Sequence, residues 1–280
     1  YAVEVERRKA CDTHDYLLFF TNFGRVYRIK GYQVPEAGRT ARGLAIVNLL
    51  SISQGEKITA VVPVRNFEED KYLVMITRSG VIKKTDMSAF ANIRKAGLTA
   101  VNLREDDELI AAFLTDGSKN IFVATRNGMG IKFNESNVRP MGRTATGVKA
   151  ITLGEGDYVV SSDIVEEGDK LLNVTENGYG KRSDESAFNV QYRGGKGVKI
   201  HQITEKTGLL SGVIKVGDNE ELMIVTSEGV IIRLRGKEIS TFGRISQGVK
   251  LINLGAGVSV AGVAKIDEED IIEEEIETEE

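Results

Sequence analysis

One phrase recurs five times along this chain, and no other property restricts its fold as much. An apolar run ends in threonine, and glycine follows three residues later: 16–21 with Gly24, 72–77 with Gly80, 120–125 with Gly128, 171–175 with Gly178, and 222–226 with Gly229. The glycines lie 56, 48, 50 and 51 residues apart, so a unit of about fifty residues is copied in tandem. A β-rich run, a turn such as Arg126-Asn127-Gly128 and a second β-rich run predict a hairpin, with glycine supplying the positive φ of the turn. A second glycine opens a further strand in each unit (Gly43, Gly97, Gly147, Gly197 and Gly248), and an apolar run closes it, at 58–64, 109–114, 158–165, 209–216 and 258–266.

Four strands per unit and little room for helix predict an all-β protein of four-stranded antiparallel blades. Radial, propeller-like repetition of such blades protects most strand edges. Unrelated β-domains in tandem would not share one register across five units. The expected repeats run over about 16–71, 72–119, 120–170, 171–220 and 221–266. Tyr1–Val5 reads as the closing strand of a truncated upstream blade, linked through residue 15 to the first complete repeat.

The net charge of −4 conceals an asymmetry. Residues 267–280 hold ten acidic and no basic residues, which leaves 37 basic against 31 acidic elsewhere, or +6. The tail cannot bury apolar area and is expected to be disordered. A basic body beside an acidic tail points to nucleic acid as a partner.

The basic residues keep register. Four residues after each hairpin glycine stand Arg28, Lys84, Lys132, Arg182 and Arg233, with Lys83 and Lys181 beside two of them. Four residues before the second glycine stand Arg39, Arg143, Arg193 and Arg244; in the second repeat Arg94 is three before it, followed by Lys95, and Arg42 adds charge in the first. Repetition about an axis would turn such positions into an arc of cations for a phosphate backbone. Nothing offers a recognition helix or a set of base-reading side chains, so binding is expected to be independent of sequence.

Other chemistry finds little support. Cys11 is the single cysteine, which fits a reducing compartment, and His14 and His201 are too few and too distant for a zinc site or a nucleophile–base pair. Gly154-Glu155-Gly156 and Gly195-Lys196-Gly197 lack the strand–helix context and flanking residues of nucleotide loops. No apolar run is long enough to span a membrane. The chain is expected to hold no catalytic site, metal or cofactor.

The loop Gln191-Tyr192-Arg193-Gly194-Gly195-Lys196-Gly197 resembles the box of the C-terminal domain of DNA gyrase A proteins, a Gln-basic-Arg-Gly-Gly-basic-Gly heptad, with Tyr192 at a usually basic place. Thr13-His14-Asp15, the stretches 38–43 and 143–149, and Glu176-Asn177-Gly178-Tyr179-Gly180-Lys181-Arg182 are similar to that family too. The resemblance covers essentially the whole chain. It implies a β-pinwheel whose blades exchange strands, and DNA wrapping around a basic rim that presents a segment to the cleavage core for ATP-dependent negative supercoiling. Double-stranded DNA, the gyrase B subunit, together with the rest of gyrase A, would be the partners, in an A2B2 enzyme of the bacterial cytoplasm. The isolated domain would be monomeric, with ATP and Mg2+ used elsewhere. Family members usually carry the box in their first blade, so the principal box is expected upstream of Tyr1. The alternatives are the corresponding domain of topoisomerase IV, a decatenase, and a protein-binding propeller with loops varied between blades.

Overall fold

A computed structural model describes residues 13–35, 45–67 and 70–266. The upstream strand at 1–5 and the acidic tail at 267–280, both expected from the sequence, lie outside the described residues. In chain order, β1 (Tyr16–Thr21), β2 (Arg25–Lys30) and β3 (Ile58–Val64) come from the first repeat, and β4 (Tyr72–Thr77), β5 (Val81–Asp86), β6 (Leu98–Thr99) and β7 (Leu109–Thr115) from the second. The third contributes β8 (Asn120–Thr125), β9 (Met129–Asn134), β10 (Val148–Lys149) and β11 (Val159–Val165). The fourth contributes β12 (Lys170–Thr175), β13 (Tyr179–Asp184), β14 (Val198–Lys199) and β15 (Leu210–Lys215), and the fifth β16 (Glu221–Thr226), β17 (Ile231–Arg235), β18 (Val249–Lys250) and β19 (Val260–Ile266). Helix among the described residues is limited to short 3-10 turns, so the fold is all-β.

The recurrent threonine has a geometric reason. In each hairpin the glycine N–H donates to the threonine carbonyl at 2.9–3.1 Å. In four of the five, the threonine Oγ1 accepts the next N–H, from Val81, Met129, Tyr179 and Val230, at 3.1–3.3 Å. One hydroxyl thus satisfies a donor that the tight turn would strand. In the first hairpin Thr21 Oγ1 donates instead to the buried Glu56 carboxylate at 2.7 Å.

Two compact units result: residues 13–118 with 135–150, and residues 119–134 with 151–266. The first holds sheets of order β3-β1-β2-β6 and β10-β5-β4-β7; the second holds β11-β8-β9-β14, β15-β12-β13-β18 and β17-β16-β19. Every pairing between these strands is antiparallel, while isolated parallel bridges join Lys84 to Pro140, Lys132 to Val190 and Arg182 to Thr241.

These orders correct the reading of each repeat as a complete sheet. The short strand after the second glycine leaves its own repeat and caps the sheet of the repeat before it: β6 lies on β2, β10 on β5, β14 on β9 and β18 on β13. The second glycine makes this possible. Gly197 has φ +71°, and a Cβ there would stand 2.2 Å from the Gly130 carbonyl oxygen of β9. Only a residue without a side chain lets the incoming strand reach the neighbouring edge. The strand expected after Gly43 is not formed at Ile46–Asn48, which is a 3-10 turn. The fifth sheet has three strands among the described residues, and Val230 and Ile231, at the end where the other sheets carry their cap, are about half exposed.

The first strand of each hairpin is central and covered on both faces, which is why its sequence is a continuous apolar run rather than an alternation. In the first unit Leu18, Phe20, Leu73 and Met75 share one core with Phe90, Val101 and Leu109. In the second, Phe122, Leu171 and Leu210 form one core and Leu172, Val174, Leu222 and Ile224 another. Each such side chain contributes roughly 1.5–3 kcal/mol on burial, and this holds the blades rigid under the loops that follow.

Candidate nucleic-acid interface

The register four residues after the hairpin glycine faces inward. Lys84 and Lys132 on β5 and β9, and Arg182 on β13, are all but buried. Lys84 Nζ donates to the Glu135 carbonyl oxygen at 3.0 Å and lies 3.6 Å from its fully buried carboxylate, which also accepts from Thr115 Oγ1 at 2.7 Å. Lys132 Nζ pairs with the Glu185 carboxylate. Arg182 donates to the Ile239 carbonyl at 2.9 Å and to Asp218 at 2.6 Å; that hydrogen bond, and then the guanidinium charge, holds the Asp218 carboxyl below its usual range. Arg28, half-buried, donates to the Ala91 carbonyl at 2.8 Å with its guanidinium 4.8 Å from the Tyr16 ring centroid.

These four ties follow one rule. Each reaches the short 3-10 turn of the following repeat or the residue just after it, at Ala91, Glu135, Glu185 or Ile239. Arg233 alone is exposed, and it pairs with Glu221 inside its own hairpin, as does Arg235 at 2.9 Å. Burial pushes the Glu221 carboxyl upward, but hydrogen bonds from Arg233 and then Arg235 overcome it and leave it lowered. The expectation that this register stands on a surface arc is corrected for Lys84, Lys132 and Arg182: the Glu135 and Glu185 carboxylates and the Ile239 carbonyl come from the next repeat and draw the charges in. Lys83 and Lys181 are buried as well and bond main-chain oxygens.

The loops before the second glycines differ. Arg94, Lys95 and Lys196 are exposed, and Gln191, Arg143, Arg193 and Arg244 are half-buried. Arg143 donates to the Thr99 carbonyl at 3.4 Å and Arg244 to the Lys199 carbonyl at 2.8 Å, so each guanidinium is anchored on the edge strand contributed by the preceding repeat. Arg39 and Arg42 lie outside the described residues. In the box-like loop Gly195 is exposed and Gly194 and Gly197 half-buried, Tyr192 is 70% exposed, and the Arg193 guanidinium lies 5.9 Å from its ring centroid. Thr152 fastens this loop, its Oγ1 donating to the Gly194 carbonyl at 2.7 Å and its N–H to Gly195 at 2.8 Å.

A third basic register escapes the sequence reading. Lys149, Lys199 and Lys250 each stand two residues after the second glycine and are exposed on the capping strands, with Thr99 at the same place in β6. Val-Lys after glycine, three times over, carries the signal: on β10 and β14 the valine is half-buried and the lysine outward, while on β18 Val249 and Lys250 are both exposed. Arg244 beside Lys199 joins two of the registers, and the arrangement offers repeated exposed cations on rigid edges. It has the chemistry to meet an anionic polymer. Among the described residues no group of three or more His, Cys, Asp or Glu is placed to hold a metal.

Known proteins are similar to this chain. The family described as the DNA gyrase C-terminal domain, beta-propeller, matches residues 15–65, 71–116, 119–166, 169–216 and 220–267. The DNA gyrase A protein of Halalkalibacterium halodurans is 61% identical over 259 residues, 92% of this chain and 31% of that protein. The chain thus spans about a third of the length of the curated relatives it matches. A solved DNA gyrase A C-terminal domain superposes with a TM-score of 0.78 at 28% identity, over 92% of this chain and 84% of the other. The C-terminal domain of DNA topoisomerase IV gives 0.85, also at 28% identity, over 95% and 84%.

Proposed function

Since this chain belongs to the DNA gyrase C-terminal domain family, we propose that it binds duplex DNA without regard to sequence and bends it along the loops and capping strands bearing Arg94, Lys95, Arg143, Lys149, Arg193, Lys196, Lys199, Arg244 and Lys250. The observation that carries this reading is the exposure of cations at equivalent places in successive repeats, on strands anchored to their neighbours. Cations at repeated positions on sheet edges favour backbone contact, and among the described residues no helix is placed to enter a groove. In the whole enzyme the bent segment wraps with a fixed hand and is presented to the cleavage core for ATP-dependent negative supercoiling. Catalysis, ATP and Mg2+ belong to gyrase B together with the rest of gyrase A, in the bacterial cytoplasm.

Fluorescence anisotropy of the 280-residue chain with a random duplex, at several salt concentrations, tests the binding. Contact with five to nine phosphates gives a slope of log K against log salt of roughly −5 to −8. A slope near zero, or strong preference for one sequence, overturns the reading.

A further inference from the structure

Two lysines of the hairpins do something the inward register does not. Lys83, 1% exposed, donates from Nζ to the Ala100 carbonyl at 2.5 Å and to the carbonyl of Arg143. Lys181, fully buried, donates to the carbonyls of Gly243 at 2.9 Å and Arg244 at 2.7 Å. Neither has a carboxylate partner in these bonds. Each ammonium holds the main chain of the loop whose arginine is anchored on the neighbouring capping strand, and Lys83 holds the Ala100 carbonyl as well.

We propose that Lys83 and Lys181 are positioning residues for DNA binding: from inside their blades they latch the loops that present Arg143 and Arg244, and do not meet phosphate themselves. The proposal rests on the reading that those arginines contact DNA. Burial excludes both ammonium groups from a ligand at the surface, and a buried ammonium costs free energy unless dipoles surround it. Burial, followed by the neighbouring Arg143 or Arg244 charge, lowers each lysine from its ordinary value to about 8.

The fold does not require a lysine there. The same place, three residues after the hairpin glycine, holds Tyr27, Ile131 and Ile232 in the other repeats. Over Ile131 lies the box-like loop, with the Ile131 Cδ1 3.8 Å from the position a Gly195 Cβ would take, and that loop is held by Thr152 instead. Two loops are therefore latched through an ammonium and a third through a hydroxyl and an amide.

The test is a double-mutant cycle in the 280-residue chain: Lys83→Ile, Arg143→Ala and the pair, with Lys181→Ile and Arg244→Ala in parallel. Isoleucine already stands at this register in two repeats, so the variants are expected to fold, with melting curves as the control. Hydrogen exchange without DNA should quicken in residues 141–147 of Lys83→Ile. Affinity for random duplex should fall about five-fold in the parent background and stay unchanged in the Arg143→Ala background, the non-additivity of residues acting as one unit. An equal fall in both backgrounds overturns the proposal, because the lysine then acts independently of the arginine. Unchanged exchange with intact DNA binding overturns the latch alone. Absence of salt-dependent binding by the parent chain overturns the function itself, and the positioning role with it.

Discussion

Replacing His201 with isoleucine should stabilise the protein and remove much of its sensitivity to mild acid. His201 is 1% exposed, and neither imidazole nitrogen makes a well-directed hydrogen bond among the described residues. The Gln247 main chain lies on the side that favours the proton, but burial, and then the Lys181 ammonium, dominate and lower the imidazole from 6.5 to about 4. The equivalent places in two other repeats hold Ile151 and Ile252. At neutral pH, removing unpaired buried polar atoms should gain about 1–3 kcal/mol. As pH falls below 6.5 the unfolded chain takes up a proton that the folded chain refuses until about 4. Stability is therefore lost through that window, by about 2 kcal/mol between pH 7.5 and pH 5. Urea denaturation of parent and variant at those two pH values, with hydrogen exchange in β12 and β13 to localise the effect, gives both quantities. If the variant loses as much stability as the parent on acidification, the buried neutral imidazole is not the cause.

Other expectations follow from the same geometry. Glu135→Ala should cost about 3–5 kcal/mol in denaturant melts, because it leaves the Lys84 ammonium buried without its carboxylate, while Lys84→Met in the Glu135→Ala background should recover much of the loss. Gly197→Ala should cost at least about 2 kcal/mol from its left-handed backbone and the contact with the Gly130 oxygen, and should speed hydrogen exchange in β14; unchanged exchange would deny the close approach. Replacing Lys149, Lys199 and Lys250 together with alanine should make the salt slope shallower by roughly 2–3, whereas Lys132→Met with Glu185→Gln should leave it unchanged.

Much of this architecture can be read without coordinates. The threonine–glycine phrase locates all five hairpins because the tight turn needs a positive φ at glycine, and in four of them the threonine hydroxyl also accepts the next amide. The closing runs at 58–64 and 109–114 mark β3 and β7 to within a residue. In four of the five repeats the second glycine announces a strand, but its destination depends on a carbonyl about seventy residues away, Gly130 for Gly197. Local pattern cannot specify such a pairing.

The charges divide in the same way. The sequence by itself determines that cations recur at equivalent positions in every repeat, since counting along the chain from the glycines finds them. Which of those cations face water is a tertiary outcome. Lys84 and Lys132 turn inward because Glu135 and Glu185, about one repeat further on, lie against them. Lys149 and Lys250 stay outside because their capping strands lie at sheet edges. A side chain's surroundings are set by residues brought close only when the repeats pack, so register can be read from one dimension and exposure only from three.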